Sequence, residues 1–374
     1  MKIALLTLPT ASNYGNILQA YALGTCLRRL GHEVKLVDNR KTDPPVGASF
    51  LRTAARRALE ACFRRKDIFW EWNLQRRIED KLAYINRFVY DRLPPRTFPV
   101  VTEEDFRELA ARERFDLWII GSDQVWRPRF AAGHAAAFFG SFLDGSAARR
   151  ITYAASFGTD ACEYTPEMRS RCTELLRQFE GVTVREESGI RQCREYFAYD
   201  GARRVLDPTM LLTAADYDSL LSLSERRPSD ALYCYLFNFK FGAKRLLENF
   251  AQKHGLRIVR TTDRPQQIEG RMPGVERWLE ELRDAPYVIT DSFHACVFCI
   301  LYHKQFAAYV NRRRGAARIE GLLALFGLEG RILQPGARSL DLLEEPIDWR
   351  PVDRILDEQR ELSLRFLREH TANR

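Results

Sequence analysis

A two-domain α/β fold is predicted by three features of the sequence. A strand–helix–strand unit fills the first forty residues, a second strand–helix alternation begins near residue 232, and the 374-residue chain is longer than a single hydrophobic core usually grows.

The opening unit reads from periodicity. Residues 3–8 are a short apolar run, the mark of a buried strand, and residues 16–30 place Ala20, Leu23, Leu27 and Leu30 on one helical face. Gly31 ends that helix and residues 33–38 supply the next strand. Two strands joined through a helix pair in parallel, which selects the α/β class. Residues 50–92 are expected to form a helical insertion over this first domain, and strand-like runs return at 116–120, 151–155 and 182–185. The alternation restarts with strands at 232–239, 256–260, 287–290 and 306–310, separated by helices at 242–254, 275–283 and 293–301 and followed by one near 317–326. The polar stretch 222–230 sets the boundary, giving domains at 1–220 and 221–350. The segment 351–374 carries Val352, Ile355, Leu356, Leu362 and Leu367 at helical spacing and is expected to pack back on the first domain.

Composition excludes several classes. Lysine and arginine outnumber aspartate and glutamate by 58 to 50, an excess that favours anionic ligands or surfaces. Part of it lies in Arg52, Arg56, Arg57, Arg64 and Arg65, read either as a solvated helix face or as a contact with an anionic membrane or a lipid-linked substrate. No zinc-finger spacing, RNP-type aromatic pattern or basic zipper accompanies the charge, so nucleic acid is not an expected partner. The eight cysteines are scattered among apolar residues, and the single CxxC, Cys296 to Cys299, sits in an apolar run without the second ligand pair a zinc site needs; no metal is expected. No run reaches the roughly 18 to 20 apolar residues that span a bilayer, and the N-terminus has no cleavage pattern, which predicts a cytoplasmic protein.

Ligands of open α/β sheets bind beyond the carboxyl ends of the strands, so polar clusters just after a strand are the candidates. The first runs from Ser12 to Gln19. Gly15 lets the backbone approach a ligand and the free N–H groups suit an anion or a sugar hydroxyl, which makes Asn13, Tyr14, Gly15, Asn16 and Gln19 acceptor candidates; the competing reading is a turn capped by Asn13 or Asn16. In the second, Asp123 is placed to act as a general base and Trp126 to stack on a sugar ring, unless Ser122 or Asp123 merely caps a helix. In the third, Arg185 follows a strand where a guanidinium can grip carboxylate or phosphate, or else pair with Glu186 or Glu187. The fourth, Asp291, Ser292 and His294, opens an apolar helix, so His294 is either a cleft residue facing an anion or a core histidine. A basic loop containing Arg312, Arg313 and Arg314 follows the next strand.

These residues carry a resemblance. NYGNILQAYAL from Asn13, GSDQVW from Gly121, ITYAASFG from Ile151, VREES from Val184, LDPTMLL from Leu206 and TDSFHACVF from Thr290, in that order, are similar to the polysaccharide pyruvyltransferase family. The resemblance implies two Rossmann-like domains like those of B-type glycosyltransferases, with the site in the interdomain cleft. It implies transfer of pyruvyl from phosphoenolpyruvate, the co-substrate, to two hydroxyls of a saccharide acceptor, with no cofactor. It places donor binding on Arg185, His294 and Arg314, with Lys304 as the substitute for Arg314; Ser292 is a further donor-binding candidate and Asp291 an acceptor-binding one. This chain has Phe293 before the histidine, where many members that act on exopolysaccharide carry an arginine nearby. On this reading His294 acts as acid and Asp123 as base, at the inner face of the membrane if the acceptor is lipid-linked. A nucleotide-sugar glycosyltransferase, with a base pocket and a ribose-binding carboxylate in the second domain involving Glu320, and a non-catalytic saccharide-binding relative are the alternatives.

Overall fold

The computed structural model describes residues 1–40, 78–131, 134–221, 226–237, 241–262, 264, 270–310, 316–334 and 336–372. The basic residues between 52 and 65, most of the expected insertion and the loop holding Arg314 lie outside them.

The first sheet contains β1 (Lys2–Leu6), β2 (Glu33–Asn39), β3 (Arg96–Val100), β4 (Leu117–Asp123), β5 (Arg149–Ala155), β6 (Thr183–Val184) and β7 (Arg203–Arg204). They lie in the order β3-β2-β1-β4-β5-β6-β7, and every pair is parallel. A parallel sheet covered on both faces needs strands apolar on both sides, and β4 shows this: all seven of its residues are buried. The second sheet contains β8 (Ala231–Tyr235), β9 (Arg257–Thr261), β10 (Tyr287–Thr290), β11 (Gln305–Tyr309) and β12 (Ile332–Leu333), ordered β12-β11-β10-β8-β9 and again parallel. In each sheet the strand order reverses once, between β1 and β4 and between β8 and β10. Those reversals open the crevices in which α/β proteins bind ligands.

The helices are α1 (Tyr14–Arg29), α2 (Ala83–Arg92), α3 (Glu103–Glu113), α4 (Pro166–Leu176), α5 (Glu187–Phe197), α6 (Ala214–Asp218), α7 (Phe241–His254), α8 (Val275–Asp284), α9 (Phe293–Leu301), α10 (Ala316–Leu325) and α11 (Trp349–Thr371). Their starts follow capping chemistry. Asn13, Thr102, Thr165 and Ser292 each accept a hydrogen bond from a first-turn N–H, and Thr102 with Asp105 completes a reciprocal capping box.

The strands β3, β7 and β12 have no apolar run to announce them. In β3 only two of five residues are buried and Pro99 withholds a donor, which an edge strand tolerates; β7 and β12 are two residues each.

One hydrophobic cluster runs from the first sheet through α1 into the second domain. Tyr14 at the start of α1 stacks on Trp278 of α8, with ring centroids 5.5 Å apart and 15° between planes, and its hydroxyl donates to Pro273 O at 2.8 Å. The C-terminal helix α11 lies against the first sheet. Ser363 Oγ accepts from Leu206 N at 3.0 Å, Arg149 donates to His370 O at 2.9 Å, and Gly181 faces Phe366 so closely that a Cβ there would sit 2.9 Å from the ring. Replacing the buried Phe366 with alanine is expected to cost about 3–5 kcal/mol in a urea denaturation experiment, by opening a cavity between α11 and Tyr153; a change under 1 kcal/mol would show that α11 is not docked there.

Candidate active site

The carboxyl ends of β4, β6 and β7 converge on one buried guanidinium. Arg185 directly follows β6, and its side chain is 1% exposed. Its Nη1 donates to Asp207 Oδ2 at 2.8 Å, its Nη2 to Asp123 Oδ1 at 3.3 Å, and its Nε lies 3.6 Å from Glu186 Oε2. Phe293 of the second domain covers its face, with the guanidinium carbon 4.2 Å from the ring centroid. Burial disfavours the charged form, but Asp207, Asp123 and Glu186 together outweigh it, and the pKa of Arg185 is raised. Asp207 is equally buried. Desolvation pushes its carboxyl up, yet His294 and Arg185, with a hydrogen bond from Thr209 Oγ1 at 2.6 Å, hold it well below the usual carboxylate range.

His294 lies in the first turn of α9, one residue beyond Phe293, with Nε2 3.4 Å from Asp207 Oδ2. The contact lies within ion-pair range but lacks hydrogen-bond alignment, and among the described residues Nε2 has no hydrogen-bond partner. Across the ring stands Gly15 of α1. A Cβ at that position would fall 2.0 Å from His294 Nδ1, so only glycine lets α1 approach the imidazole this closely. The imidazole is therefore bounded by a carboxylate at Nε2 and by a glycine at Nδ1.

Three buried polar atoms here have no hydrogen-bond partner among the described residues: Arg185 Nε, Glu186 Oε2 and His294 Nε2. Arg185 Nε and Glu186 Oε2 face each other at 3.6 Å and His294 Nε2 faces Asp207 Oδ2 at 3.4 Å, so all three are held by charge at distances or angles outside hydrogen bonding. Glu186 uses its other oxygen to accept from Ser156 Oγ at 2.6 Å. Beside them a crevice lined by Arg185, Glu186, Asp207, Phe293, Arg318 and Leu322 encloses about 30 Å³, room for about one water molecule. Among the described residues no group of three His, Cys, Asp or Glu side chains is arranged to hold a metal ion, and none of the described helices is long and apolar enough to cross a membrane.

The structure thus brings Asp123, Arg185 and His294 into one network and adds Asp207 and Glu186. Several other sequence-selected residues are placed otherwise. Trp126 is fully buried, stacks on Phe139 at 4.9 Å and donates Nε1–H to Phe138 O, so its ring is a core ring and offers no face to a sugar. Gln19 is fully buried and consumed, donating to Thr7 Oγ1 and Asn16 O and accepting from Ser122 N. Asn16 donates to Leu8 O and Pro9 O, Asn13 caps α1 by accepting from Asn16 N, and Tyr14 is the buried interdomain ring described above. These four shape the loop after β1; Tyr14, Asn16 and Gln19 are buried, Asn13 is half-buried, and Gly15 is the one of this string that meets the His294 ring. The helix cap expected of Ser122 or Asp123 is absent, because β4 runs through Asp123 and a turn follows. Ser292 caps α9 by accepting from Ala295 N, and Asp291 accepts from Phe237 N at 2.7 Å, which ties the loops after β8 and β10 together.

Lys304 is at the wrong end of the second sheet. It precedes β11 and donates to Arg283 O at 2.6 Å, whereas His294 follows the carboxyl end of β10. Burial pushes its ammonium down to about 8, an effect of packing and not of a ligand site. Cys296 and Cys299 are fully buried, and their thiols are pushed up by desolvation, consistent with core packing.

The sequence profile of the polysaccharide pyruvyl transferase family matches residues 13–313. No curated protein sequence matches the chain. Among solved structures it is similar to MnaA from S. aureus in its co-structure with UDP (9% identity, 99% of this chain and 96% of that chain, TM-score 0.52). It is also similar to the UDP-GlcNAc 2-epimerase from Neisseria meningitidis bound to UDP-GlcNAc (8%, 99% of each chain, TM-score 0.50) and to the spinosyn rhamnosyltransferase SpnG (11%, 99% of each chain, TM-score 0.50). At these identities the likeness is one of fold, that of the B-type glycosyltransferases and related epimerases.

Two outcomes check this geometry. Gly15→Ala is expected to lower stability by about 1–3 kcal/mol through overpacking, and to lose most of that cost in a His294→Ala background, where the clash is gone; equal costs in both backgrounds would refute the close approach. For Lys304, the unfolded chain binds more protons than the folded one between its folded value of about 8 and the ordinary lysine value of about 10.4, so stability rises with pH across that window. Lys304→Met should flatten the rise measured by urea denaturation.

Proposed function

The chain belongs to the polysaccharide pyruvyl transferase family, and from that premise we propose that it moves pyruvyl from phosphoenolpyruvate to two hydroxyls of one sugar, forming a cyclic ketal and releasing phosphate. The observation that carries this reading is the Asp207–His294 pair beside Arg185 at the carboxyl ends of both sheets.

The donor's central carbon becomes electrophilic when its methylene carbon takes a proton. His294, held by Asp207 on one side and Gly15 on the other, is the acid that delivers it. One sugar hydroxyl then adds to the central carbon as its proton leaves towards Asp123. The carbon–oxygen bond to phosphate breaks, phosphate departs with the bonding pair, and the second hydroxyl adds and loses its proton to close the ketal. Arg185 has a positioning role: its three carboxylate partners leave it no free edge for a bidentate grip, and it fixes Asp123 and Asp207 about the reacting atoms. The crevice of about 30 Å³ must widen to admit the donor, so the two domains part for entry and close for reaction.

The acceptor in this reading is a sugar of a cell-surface polysaccharide or its lipid-linked precursor, met in the cytoplasm at the inner face of the membrane. The test is incubation of the purified protein with phosphoenolpyruvate and a panel of lipid-linked and nitrophenyl glycosides. A pyruvyl mass increase with stoichiometric phosphate release is expected, and His294→Ala should lower turnover at least about 100-fold. Full activity of that variant would remove His294 from the chemistry. Thermal stabilisation by a nucleoside diphosphate and none by phosphoenolpyruvate would replace this function with sugar transfer from a nucleotide.

A further inference from the structure

Asp207 lies between β7 and α6, in a stretch whose only regular structure is the single turn Pro208–Met210. Its place therefore depends on where the polar groups of residues 206–210 find partners. Asp207 Oδ1 accepts from Thr209 N at 3.0 Å and from Thr209 Oγ1 at 2.6 Å, which leaves Oδ2 to Arg185 and His294. From β5, Tyr153 Oη donates to Leu206 O at 3.2 Å; from α6, Tyr217 Oη donates to Thr209 O at 2.9 Å.

Two more partners come from the C-terminal helix. Ser363 Oγ accepts from Leu206 N at 3.0 Å, and Arg360 Nε donates to Met210 O at 2.9 Å. Three positions apart, the two side chains share one face of α11 and hold the segment on both sides of Asp207. Ser363 is buried and its hydroxyl donates to Gln359 O at 2.7 Å, so its oxygen is turned to Leu206 N. Arg360 is fixed in turn by Asp357 at 2.6 Å. Gln359, beside Arg360, lines the crevice itself, so α11 reaches the site. The helix lies beyond the residues matched by the family profile, and the likeness to that family assigns it no part in the chemistry. Without Ser363 the buried Leu206 N–H loses its partner unless the segment moves to find another. Any such move displaces the next residue, whose carboxylate stands 3.4 Å from His294.

We propose that Ser363 and Arg360 are positioning residues of the active site: by clamping residues 206–210 from α11 they set the distance and angle at which Asp207 meets the His294 ring. The reaction this pair serves rests on the function proposed above; the clamp does not.

The test uses the full chain as wild type, Ser363→Ala, Arg360→Met and Arg149→Met. The last removes the donor to His370 O, near the far end of α11, and leaves the clamp intact. NMR of isotope-labelled histidine follows the ring signals of the six histidines, with that of His294 identified by its absence from His294→Gln. Thermal melts accompany the spectra, as do kcat and KM on the acceptor that the glycoside panel reveals. Ser363→Ala and Arg360→Met should each displace the His294 signal and lower kcat roughly 10- to 100-fold, with a much smaller change in the KM for phosphoenolpyruvate. Arg149→Met should lower the melting temperature and leave the His294 signal and kcat as they are. If Ser363→Ala fails to fold, Arg360→Met, which keeps an unbranched side chain on a half-buried site, carries the test. An unmoved His294 signal in the folded clamp variants overturns the proposal, and so does an equal displacement in Arg149→Met, which would mark a general loosening of the helix. A displaced signal in a chain that transfers pyruvyl to no acceptor would keep the clamp and remove the function proposed above.

Discussion

A guanidinium withdrawn from water must be neutralised where it lies, and much of this molecule's central geometry follows from that requirement at Arg185. Its partners come from three places in the chain: Asp123 at the end of β4, Glu186 beside it, and Asp207 beyond β7. Removing any one carboxylate would leave part of a buried charge uncompensated, a defect that costs several kcal/mol. The three loops are consequently held in one arrangement, and the second domain closes on it through Phe293, whose ring covers the remaining face of the cation. Packing accounts for the strands; this ionic knot accounts for where they end.

The same knot divides the labour of the site. Asp207 answers to two partners at once, accepting from Arg185 at 2.8 Å while standing 3.4 Å from His294, so the imidazole is oriented from one side by an anion whose own position is fixed. From the other side the limit is steric, the missing Cβ of Gly15. An imidazole held by a charge and by contact, with each supplied by a different segment, keeps a fixed orientation even though it sits at the junction of two domains.

Much of the fold was legible because strands and helices impose periods on the sequence, and the apolar runs at β1, β4, β8 and β10 are unambiguous. What escaped was short or lay at an edge: β3, with its proline and two exposed positions, and the two-residue β7 and β12. In the site, His294 and Arg185 stood out because they follow strands. Asp207 did not, although it lies within the LDPTMLL string, since a carboxylate before proline reads equally as a turn; nothing local says that Arg185, 22 positions earlier, is its partner. Trp126, Gln19 and Tyr14 misled for the converse reason. Each is polar or amphipathic and follows a strand, and whether such a side chain faces solvent or finds partners inside is decided by distant segments, such as Phe138 for Trp126 and Pro273 for Tyr14.

The path of the chain carries a mechanical consequence. Because α11 returns to the first sheet after the second sheet is finished, the second domain is an insert, entered through residues near 213–231 and left through those near 334–349. A body hung from its neighbour by a single strand of chain can swing in any direction; one held by two crossings has an axis. Two crossings, together with the hydrophobic cluster the two domains share through Tyr14 and Trp278, tie the second domain to the first at more than one point, so the crevice between them is framed on both sides by chain that belongs to neither sheet.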